Sequence, residues 1–359
     1  MNAIRLLDLG LVSPVRSQTV YHAVAHGMTE TTPDTIILVS PAQPYVCIGY
    51  HQDPEKEVDL AYCATHDLPI YRREVGGGAV YLDAGQVFLQ WIFHARHVPP
   101  SLEERFELFI RPLVATYQAL DIAAYHRPVN DVHVSGKKIG GTGAAQMGRA
   151  EVLVGSLMFT FDKATMARVL KVASEKMRDK VFESLEQYMT TMTEQLGRVP
   201  DRQAVLNEYV AQCAAALDAE IVPGRLTAAE EALAADLDAH FASDEWLHLG
   251  GRTQRSGVKI HEDVWVGEGM VKAPGGLIRA TVRVRDGHVD DLALSGDFTV
   301  LPASGVAALE DALHGVAMAR EPLLASVKER YRTLEIRSPG VTPEHFVEAI
   351  LAAATRSAG

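Results

Sequence analysis

The 359-residue sequence predicts an α/β protein of two or three domains. Its composition, with 47% hydrophobic and 22% charged residues, is typical of a folded chain. Short apolar runs bounded by turn residues alternate with stretches in which apolar residues recur at helical spacing. Strands are therefore expected to alternate with helices along the chain, which is the basis of the predicted fold class.

The predicted strands of the first domain are short, apolar and rich in β-branched residues. They lie in the segments 35–40, 45–50, 68–93, 130–146 and 151–161. The third of these segments holds two strands separated by three glycines, and the fourth holds two strands joined by a Ser-Gly turn. The glycine cluster is therefore expected at a connection between strands.

The predicted helices of the first domain have apolar residues three and four positions apart. They cover the segments 57–67, 101–120, 163–177, 201–217 and 226–246.

The second domain is expected to be a small α+β domain. Gly, Ser and Arg dominate 249–257, so we place a first domain over 1–247 and a second over 256–359. The segment 276–298 predicts a β-hairpin with a tight turn at its Asp-Gly pair. The helices predicted after it lie around 303–316, 320–332 and 343–355.

Composition and charge argue against several classes of protein. No window approaches the roughly 18 apolar residues of a membrane span, and the N-terminus lacks the features of a secretion signal. Cys47, Cys63 and Cys213 lie far apart without CxxC spacing, which suits a reducing compartment and core positions. The net charge of −12 argues against a general nucleic-acid binder, because neutralising phosphates needs clustered Lys and Arg. We therefore expect a cytoplasmic protein that binds neither membrane nor nucleic acid.

The stretch 72–86, RREVGGGAVYLDAGQ, combines bare backbone with positive charge. Its three consecutive glycines permit a close approach of the backbone to a ligand and leave their N–H groups unshielded. Arg72 and Arg73 precede them, and a guanidinium group matches the oxygens of a phosphate or carboxylate. The stretch therefore predicts a binding loop for such a ligand, with a glycine-rich bulge and two solvated arginines as the alternative.

A second cluster occupies 130–143, NDVHVSGKKIGGTG. Asn130 and Asp131 come before a tight turn, and Lys137 and Lys138 follow it. Neighbouring side chains of a strand point to opposite faces, so one lysine can face a site while the other faces water. An ammonium group beside a carboxylate and a phosphate would stabilise the charge that develops during acyl transfer to ATP. A hairpin with two solvated lysines is the alternative.

The common fingerprints of other sites are absent from the sequence. Neither glycine cluster fits GxxxxGK(S/T), or GxGxxG between a strand and a helix, and no GxSxG elbow occurs. His22 and His26 have i, i+4 spacing but lack the glutamate of HExxH and an obvious third ligand. The sequence therefore argues against a P-loop, a dinucleotide-binding fold, a serine hydrolase and a zinc site.

The two clusters resemble those of lipoate-protein ligases, within the group that also holds biotin ligases and octanoyltransferases. The stretch 72–86 looks like the family's RRxSGGGAVxHDxGN loop, and 130–143 looks like its ND...GKKISGSA segment. Weaker similarities lie at 46–59 and 151–170, in the family's order. The segment 272–298 is similar to an accessory domain that some of these ligases carry in the same chain.

The resemblance implies a fold and a two-step reaction. The fold is a mixed β-sheet flanked by helices, related to the catalytic core of class II aminoacyl-tRNA synthetases and biotin synthetases, plus the small C-terminal domain. The carboxylate of lipoate attacks the α-phosphate of ATP, with Mg²⁺ assisting, to give lipoyl-AMP and pyrophosphate. A lysine of an acceptor lipoyl-domain protein then takes the acyl group. A 2-oxoacid dehydrogenase subunit, a glycine-cleavage H protein or another lipoylated carrier would be the acceptor.

The family's site residues map onto this sequence position by position. Lys138 matches the lysine that contacts the activated carboxyl group, and Mg²⁺ would bind near Asp131. The positions expected to line the lipoyl-adenylate pocket are Arg72, Arg73, Val75, Gly76, Gly77, Gly78, Tyr81 and Gly141. The positions expected on the nucleotide and metal side are Asn130, Asp131 and Asp83.

Departures from the family pattern leave the acyl substrate open between lipoate and octanoate. Val75 stands where serine is common, Leu82 where histidine is usual and Gln86 where ligases often have asparagine. The strongest alternative is an octanoyltransferase of the same fold, which moves an acyl group through a cysteine thioester. No cysteine lies between Lys138 and Cys213, and Cys213 is expected on the apolar face of a helix. A non-catalytic binder of lipoate or its adenylate is a further alternative.

A local group of basic residues suggests how an acceptor would approach. Arg72, Arg73, Lys137, Lys138 and Arg149 could form a small basic rim in an otherwise acidic protein. Such a rim would steer an acidic lipoyl domain towards the site.

Overall fold

The computed structural model describes residues 3–172, 174–249 and 264–355. Apart from its first residue, the predicted boundary segment 249–257 lies outside the described residues. None of the described helices combines the length and the apolar composition needed to cross a bilayer.

The described residues fall into two compact units, each made of segments that are separate in sequence. The first unit draws on Met1–Cys47, Val58–Tyr71 and Val80–Ser243. The second unit draws on Ile48–Glu57, Arg72–Ala79 and Asp244–Gly359. The glycine cluster and the segment before it therefore group with the C-terminal part of the chain. A division into domains at 247 and 256 stays a prediction.

The strands that precede the C-terminal segment are mostly short. They are β1 (Ala3–Val12), β2 (Thr35–Pro41), β3 (Tyr45–Ile48), β4 (Ile70–Arg72), β5 (Val80–Leu82), β6 (Gln86–His94), β7 (Tyr125–Arg127), β8 (Asp131–Val134), β9 (Lys137–Met147), β10 (Ala150–Met158) and β11 (Glu220–Pro223).

The helices of the same part of the chain vary from one turn to five. They are α1 (Pro14–His26), α2 (Pro54–Glu57), α3 (Leu60–Thr65), α4 (Leu102–Ala119), α5 (Lys163–Val169), α6 (Glu175–Tyr188), α7 (Met192–Leu196), α8 (Arg202–Leu217), α9 (Ala228–Phe241) and α10 (Asp244–His248), with a short 3₁₀ helix at Ala95–His97.

The first unit is built on an eight-stranded mixed sheet in the order β11-β1-β2-β6-β10-β9-β8-β7. Strand β1 pairs in parallel with β2 and β11, and every other neighbouring pair of this sheet is antiparallel. A smaller sheet has the order β4-β3-β5. Together with the flanking helices, this confirms the predicted mixed-sheet fold.

The centre of the large sheet is apolar and closely packed. All nine residues of β6 are buried, and the indole Nε1 of Trp91 donates a hydrogen bond to the hydroxyl of Tyr209 in α8 at 3.0 Å. Helix α4 starts at Ser101, whose hydroxyl accepts from the backbone N–H of Glu104. Near its other end, the Tyr117 hydroxyl donates to the carbonyl oxygen of Ile139 in β9 at 3.1 Å. Helix α4 thereby fixes the backbone of β9.

Three predicted helices differ from those in the structure. The segment 226–246, predicted as one helix, contains α9 and the start of α10. The segment 163–177, predicted as one helix, contains α5 and the start of α6. Ser174 begins α6 as its N-cap, with its hydroxyl accepting from the backbone N–H of Met177. The helix predicted at 57–67 corresponds to α3, which is shorter than predicted because it begins after its N-cap, Asp59.

The C-terminal part of the second unit forms a three-stranded antiparallel sheet with three helices. The elements are β12 (Val264–Ala273), β13 (Gly276–Arg285), β14 (His288–Gly296), α11 (Gly305–Leu313), α12 (Arg320–Thr333) and α13 (Pro343–Thr355). Asp286 and Gly287 join β13 to β14 with φ of 49° and 74°, as a type I′ hairpin turn requires. The buried rings of Phe298 and Phe346 meet edge to face in the core. The predicted hairpin, helices and α+β composition of this part are confirmed.

Candidate functional site

The β8–β9 hairpin brings the two ends of the second cluster together. Ser135 and Gly136 form its turn with φ of 50° and 81°, the pairing of left-handed residues that a tight hairpin needs. Asp131 then lies opposite Gly141, and the register shifts by a bulge between Val132 and His133. The turn chemistry therefore determines which residues face one another near Lys138.

Lys138 and Asp131 form an ion pair within this hairpin. The Nζ atom of Lys138 lies 2.7 Å from Oδ1 of Asp131, and the side chains are 38% and 29% exposed. Gly141 makes room for the pair, because a Cβ at this position would lie 2.9 Å from Nζ and 3.0 Å from Cε of Lys138. The result is an ammonium group that is held in place yet open to a ligand.

Lys137 has different surroundings, as the alternation of a strand predicts. Its ammonium donates to the backbone carbonyl of Glu186 in α6 at 2.8 Å. Arg149 forms an exposed ion pair with Glu30 at 2.8 Å. Lys137 begins the eleven-residue strand β9 and Arg149 lies two residues beyond its end, which places them about 30 Å apart. The predicted basic rim containing both residues is therefore wrong.

Asn130 is held by the backbone at the entrance to the hairpin. Its Nδ2 donates to the backbone carbonyl oxygen of Thr142 at 2.6 Å. The backbone carbonyl oxygen of Asn130 accepts from the backbone N–H and the hydroxyl of Thr142, each at 2.9 Å. These bonds position the backbone between Asp131 and Gly141.

Asp131 offers one carboxylate to a cation. Among the described residues, it belongs to no group of three His, Cys, Asp or Glu ligand atoms that could hold a metal ion. Magnesium is commonly held by one or two carboxylates together with substrate phosphates and water. The residues present therefore fit Mg²⁺ only as an ion that shares Asp131 with the phosphates of a bound nucleotide.

The glycine loop, which we define as residues 74–79, wraps around the guanidinium group of Arg73. Nη2 of Arg73 donates to the carbonyl oxygens of Gly76 and Gly78, both at 2.9 Å. Gly77 has φ of 99°, a conformation that other residues rarely adopt. Because the carbonyl groups of the loop point at the arginine, the conformation of the loop depends on Arg73.

Main chain packs closely against the glycine loop on two sides within the second unit. A Cβ at Gly49 would overlap the carbonyl oxygen of Gly77. A Cβ at Gly76 would lie 2.6 Å from the carbonyl oxygen of Phe298 and 2.7 Å from the hydroxyl of Thr299. The absence of side chains in the loop thus serves packing against neighbouring backbone.

The guanidinium group of Arg72 is occupied by backbone carbonyl groups, which corrects our expectation that it lines a ligand pocket. Its side chain is buried, with 2% exposed. Nη1 donates to the carbonyl oxygens of Tyr50 and Gln52, each at 2.6 Å, and Nε donates to that of Leu247 at 3.0 Å. In return, Nε1 of Trp246 donates to the carbonyl oxygen of Arg72 at 2.9 Å. Arg72 therefore ties together three chain segments of the second unit.

The remaining predicted residues lie around the glycine loop or after it. Val75 is buried, and its carbonyl accepts from the N–H of Tyr50 at 3.2 Å. Burial raises the pKa of Tyr81 to about 12. Asp83 closes its own turn by accepting from the N–H of Gly85 at 2.8 Å, and burial raises the pKa of its carboxyl. Asp83 is thus engaged in a turn of the first unit.

Comparison with known proteins places this hairpin and glycine loop in a family. Residues 16–214, more than half of the chain, match the family model described as the lipoyl protein ligase A/B catalytic domain. The chain belongs to the lipoyl protein ligase A/B family.

Relatives in this family carry names for two different reactions. Octanoyltransferase LipM of Kyrpidia tusciae is 28% identical over 273 residues, which cover 68% of this chain and 98% of that protein. Lipoate–protein ligase 2 of Staphylococcus aureus is 27% identical over 322 residues, covering 86% of this chain and 88% of that protein. Membership of the lipoyl protein ligase A/B family therefore leaves the acyl donor open.

A solved structure of a lipoate ligase is similar to this lipoyl protein ligase A/B family member. It comes from a study of an archaeal lipoylation system, a bipartite lipoate protein ligase and its E2 lipoyl domain from Thermoplasma acidophilum. The two chains are 26% identical, with a TM-score of 0.63, over 72% of this chain and 99% of that chain. The likeness supports the mixed-sheet fold.

The cysteines of this family member bear on the choice between the two reactions. The sequence contains three, Cys47, Cys63 and Cys213, and each is at most 1% exposed. Burial raises the pKa of the Cys63 thiol to about 11 and that of the Cys213 thiol to about 12. Cys213 lies inside α8 beside Tyr209, as the sequence predicts for a core position. None of the three thiols has the exposed, electropositive setting of a reactive cysteine.

His133 is a feature of the hairpin that sequence reasoning missed. It is buried with 4% exposed, and its Nε2 lies 3.8 Å from Oδ2 of Asp131. The signal in the sequence is weak, since a histidine two positions after Asp131 only suggests a side chain on the same face of a strand. The register shift after Val132, which the structure shows, places His133 opposite Lys138.

Proposed function

We propose that this protein is an ATP-dependent lipoate–protein ligase. It would activate lipoate to lipoyl-AMP and transfer the lipoyl group to a lysine of an acceptor lipoyl-domain protein. The observation that carries the proposal is the burial of all three cysteines. A transferase that works through a cysteine thioester needs an accessible thiol of lowered pKa, whereas adenylate formation needs no protein nucleophile.

In the proposed first step, a carboxylate oxygen of lipoate attacks the α-phosphorus of ATP. The bond from the α-phosphorus to the bridging oxygen breaks, and pyrophosphate leaves. Lys138 would turn its ammonium group from Asp131 to the oxygens on which negative charge develops, and Asp131 would keep that ammonium oriented beforehand. Magnesium, when bound, would neutralise phosphate charge beside Asp131. Catalysis is then mainly positioning and charge stabilisation.

In the proposed second step, the ε-amine of the acceptor lysine attacks the acyl carbonyl of lipoyl-AMP. An amide forms, AMP leaves and the amine loses a proton to solvent. The named system that includes an E2 lipoyl domain supports a lipoyl-domain protein as acceptor. A 2-oxoacid dehydrogenase subunit, a glycine-cleavage H protein or another lipoylated carrier has the required lysine. A cytoplasmic location stays part of the proposal.

An octanoyltransferase is the second candidate. The relative named octanoyltransferase LipM aligns over 98% of its own length, so the whole of that protein has a counterpart in this chain. Transfer from acyl carrier protein would then proceed either through a thiol exposed by local opening or directly to the acceptor amine. A binder of lipoate or adenylate without turnover is a further outcome of the same test.

The test is exchange of labelled pyrophosphate into ATP by the purified protein with Mg²⁺ and lipoate, octanoate, biotin or no acid. Exchange that requires lipoate supports the ligase, and a parallel assay with octanoate reads the acyl preference. A folded protein that catalyses no exchange with any acid contradicts the proposal. If it then moves octanoate from acyl carrier protein, the transferase is correct, and if it only binds lipoate, it is a binder.

Replacing Cys213 separates the two reactions. Cys213→Ala is expected to keep lipoate-dependent exchange and acceptor lipoylation within about threefold of wild type. Because it shortens a buried side chain, it should lower the free energy of unfolding by roughly 1 kcal/mol. Both assays and a thermal melt measure these effects. Cys47→Ala is the matched control, since that cysteine is equally buried. Loss of acyl transfer in folded Cys213→Ala, but not in Cys47→Ala, would instead identify Cys213 as an acyl carrier.

Enlarging Gly141 tests the importance of the Lys138–Asp131 pair. Gly141→Ala is expected to lower lipoate-dependent exchange by about tenfold or more. The new Cβ would displace the Lys138 ammonium group from its position within hydrogen-bonding distance of Asp131. Unfolding free energy should change by less than about 1 kcal/mol, since the displaced group is the end of a flexible side chain.

Gly140→Ala is the control for Gly141→Ala. A Cβ at Gly140 would lie 3.4 Å from the carbonyl oxygen of Ser156 and 3.8 Å from Cβ of Val132, both ordinary contacts. The control should exchange pyrophosphate at nearly the wild-type rate. Equal activity of the two variants would show that the position of the Lys138 ammonium does not limit the reaction.

A further inference from the structure

A buried imidazole without a hydrogen-bond partner lies beside the proposed catalytic lysine. His133 is 4% exposed, and neither of its ring nitrogens has a hydrogen-bond partner within the described part of the chain. Burying such a group unpaired is unfavourable, so most buried polar groups of native proteins are paired. The position of His133 therefore needs a functional or structural reason.

One carboxylate separates this imidazole from the ammonium group. Oδ1 of Asp131 lies 2.7 Å from Nζ of Lys138, and Oδ2 lies 3.8 Å from Nε2 of His133. The strands bring His133 and Lys138 together as a pair of opposite residues in β8 and β9. The Tyr125 ring lies on another side of the imidazole, with ring centroids 6.1 Å apart. Asp131 is thus placed to exchange one nitrogen partner for the other.

We propose that His133 takes over the carboxylate of Asp131 when the ammonium group of Lys138 turns towards the substrate. This inference rests on the proposed ligase function, because that reaction draws Lys138 to the developing charge. The departure of Lys138 would cost the Asp131 carboxylate its hydrogen-bond donor and would hold the lysine back unless another donor takes its place. An N–H group at Nε2 of the imidazole supplies the replacement donor.

The movement required is small. A hydrogen bond between nitrogen and oxygen is about 2.9 Å long, so Nε2 and Oδ2 must approach by about 1 Å. The exchange then gives a partner to a buried imidazole that had none, and it gives a new donor to the carboxylate that Lys138 has left. His133 is a positioning residue in this scheme, since it touches Asp131 and not the substrate.

The kinetic test compares two replacements of His133. Phenylalanine keeps a ring of similar size without a donor, whereas the amide of glutamine can place a donor near the position of Nε2. Because the hydrogen bond forms only after Lys138 leaves Asp131, its loss should lower kcat and spare KM. His133→Phe should lower the kcat of lipoate-dependent pyrophosphate exchange by about tenfold or more, with KM for lipoate within about twofold. His133→Gln should restore kcat to within about threefold of wild type.

A control separates positioning from loss of stability. Val134 is the neighbouring buried residue of β8, with 2% exposed. Val134→Ala should destabilise the same strand and leave both kcat and KM near their wild-type values. A kcat loss of the same size in His133→Phe, His133→Gln and Val134→Ala would mean that His133 is only structural.

A spectroscopic test reads the hydrogen bond without turnover. The protein is labelled with ¹⁵N-histidine, and the Nε2–H proton signal of His133 is assigned by its disappearance in His133→Gln. Addition of a non-hydrolysable lipoyl-adenylate analogue should move this signal downfield as the bond to Asp131 forms. In Lys138→Ala, where Asp131 has already lost its cation, the signal should be shifted before the analogue is added.

The possible outcomes distinguish this inference from the proposed function. If wild-type protein exchanges pyrophosphate while His133→Phe keeps full kcat, the inference is wrong and the ligase function stands. The same conclusion follows if the His133 signal does not move in the complex. If the folded wild-type protein catalyses no pyrophosphate exchange with any of the acids, the proposed function fails and the inference fails with it.

Discussion

Lys138→Ala is expected to lower lipoate-dependent pyrophosphate exchange by about a hundredfold to a thousandfold, the loss typical of removing one preorganised donor to developing charge. The Lys138 ammonium is the cation that pairs with Asp131 in the hairpin, and its side chain is 38% exposed. Stability should change by less than about 1 kcal/mol, because the remaining carboxylate is partly solvated. Initial exchange rates at saturating lipoate and a urea titration measure the two effects.

Lys137→Ala is the control for Lys138→Ala. It removes the same charge one residue earlier, from an ammonium group that donates to the Glu186 carbonyl. Exchange should stay within about threefold of wild type. Equal losses in the two variants would mean that net charge, and not the placement of Lys138, supports the reaction.

Arg72→Leu is expected to lower the free energy of unfolding by about 3 to 5 kcal/mol, because each buried carbonyl group that loses its donor costs about 1 to 3 kcal/mol. The substitution leaves the carbonyl oxygens of Tyr50, Gln52 and Leu247 without the donors that they have in the structure. Arg72 lies two residues before the glycine loop. Its loss should therefore disturb the loop and weaken lipoate binding as well. The midpoint of urea unfolding and lipoate affinity by calorimetry check the two expectations.

The control for Arg72→Leu is Arg332→Leu in α12. Arg332 is 72% exposed and pairs with Glu329 one helical turn away, an interaction worth less than about 1 kcal/mol. Its replacement should hardly move the unfolding midpoint or lipoate affinity. A similar, small effect of both substitutions would show that the carbonyl contacts of Arg72 contribute little.

The sequence was sufficient to predict the hairpin that carries Lys138. Ser135 and Gly136 are residues that tolerate the left-handed conformation of a two-residue turn, and such a turn determines which residues face one another. The sequence could not show the bulge after Val132, which depends on pairing with β9. For that reason the closeness of His133 to Asp131 became visible only in the structure.

The roles of the two arginines could not be separated by sequence alone. The alternation of side chains along a strand predicts that Arg72 and Arg73 point in different directions. It does not predict which of the two is buried. The burial of Arg72 is decided by carbonyl groups of Tyr50 and Leu247, which are remote in sequence. Tertiary contacts of this kind leave no local pattern.

The break inside 163–177 shows a similar limit. Arg178 donates to the carbonyl oxygens of Ala167, Arg168 and Leu170 at the end of α5. In a continuous helix, these carbonyl groups would accept hydrogen bonds from backbone N–H groups of the next turn. The N-cap at Ser174 begins a new helix, and the prediction from apolar spacing did not use that signal.

The contact between Gly76 and the main chain at Phe298 has an evolutionary consequence. A Cβ at position 76 would meet the carbonyl oxygen of residue 298 at 2.6 Å and the Cα of residue 299 at 2.9 Å, and both atoms are present whatever side chains stand there. No compensating substitution at residue 298 can create the missing space. In a chimera that takes its C-terminal segment from a relative, the identity of the side chain at position 298 therefore has no effect on this contact. The glycine at position 76 must be inherited unchanged.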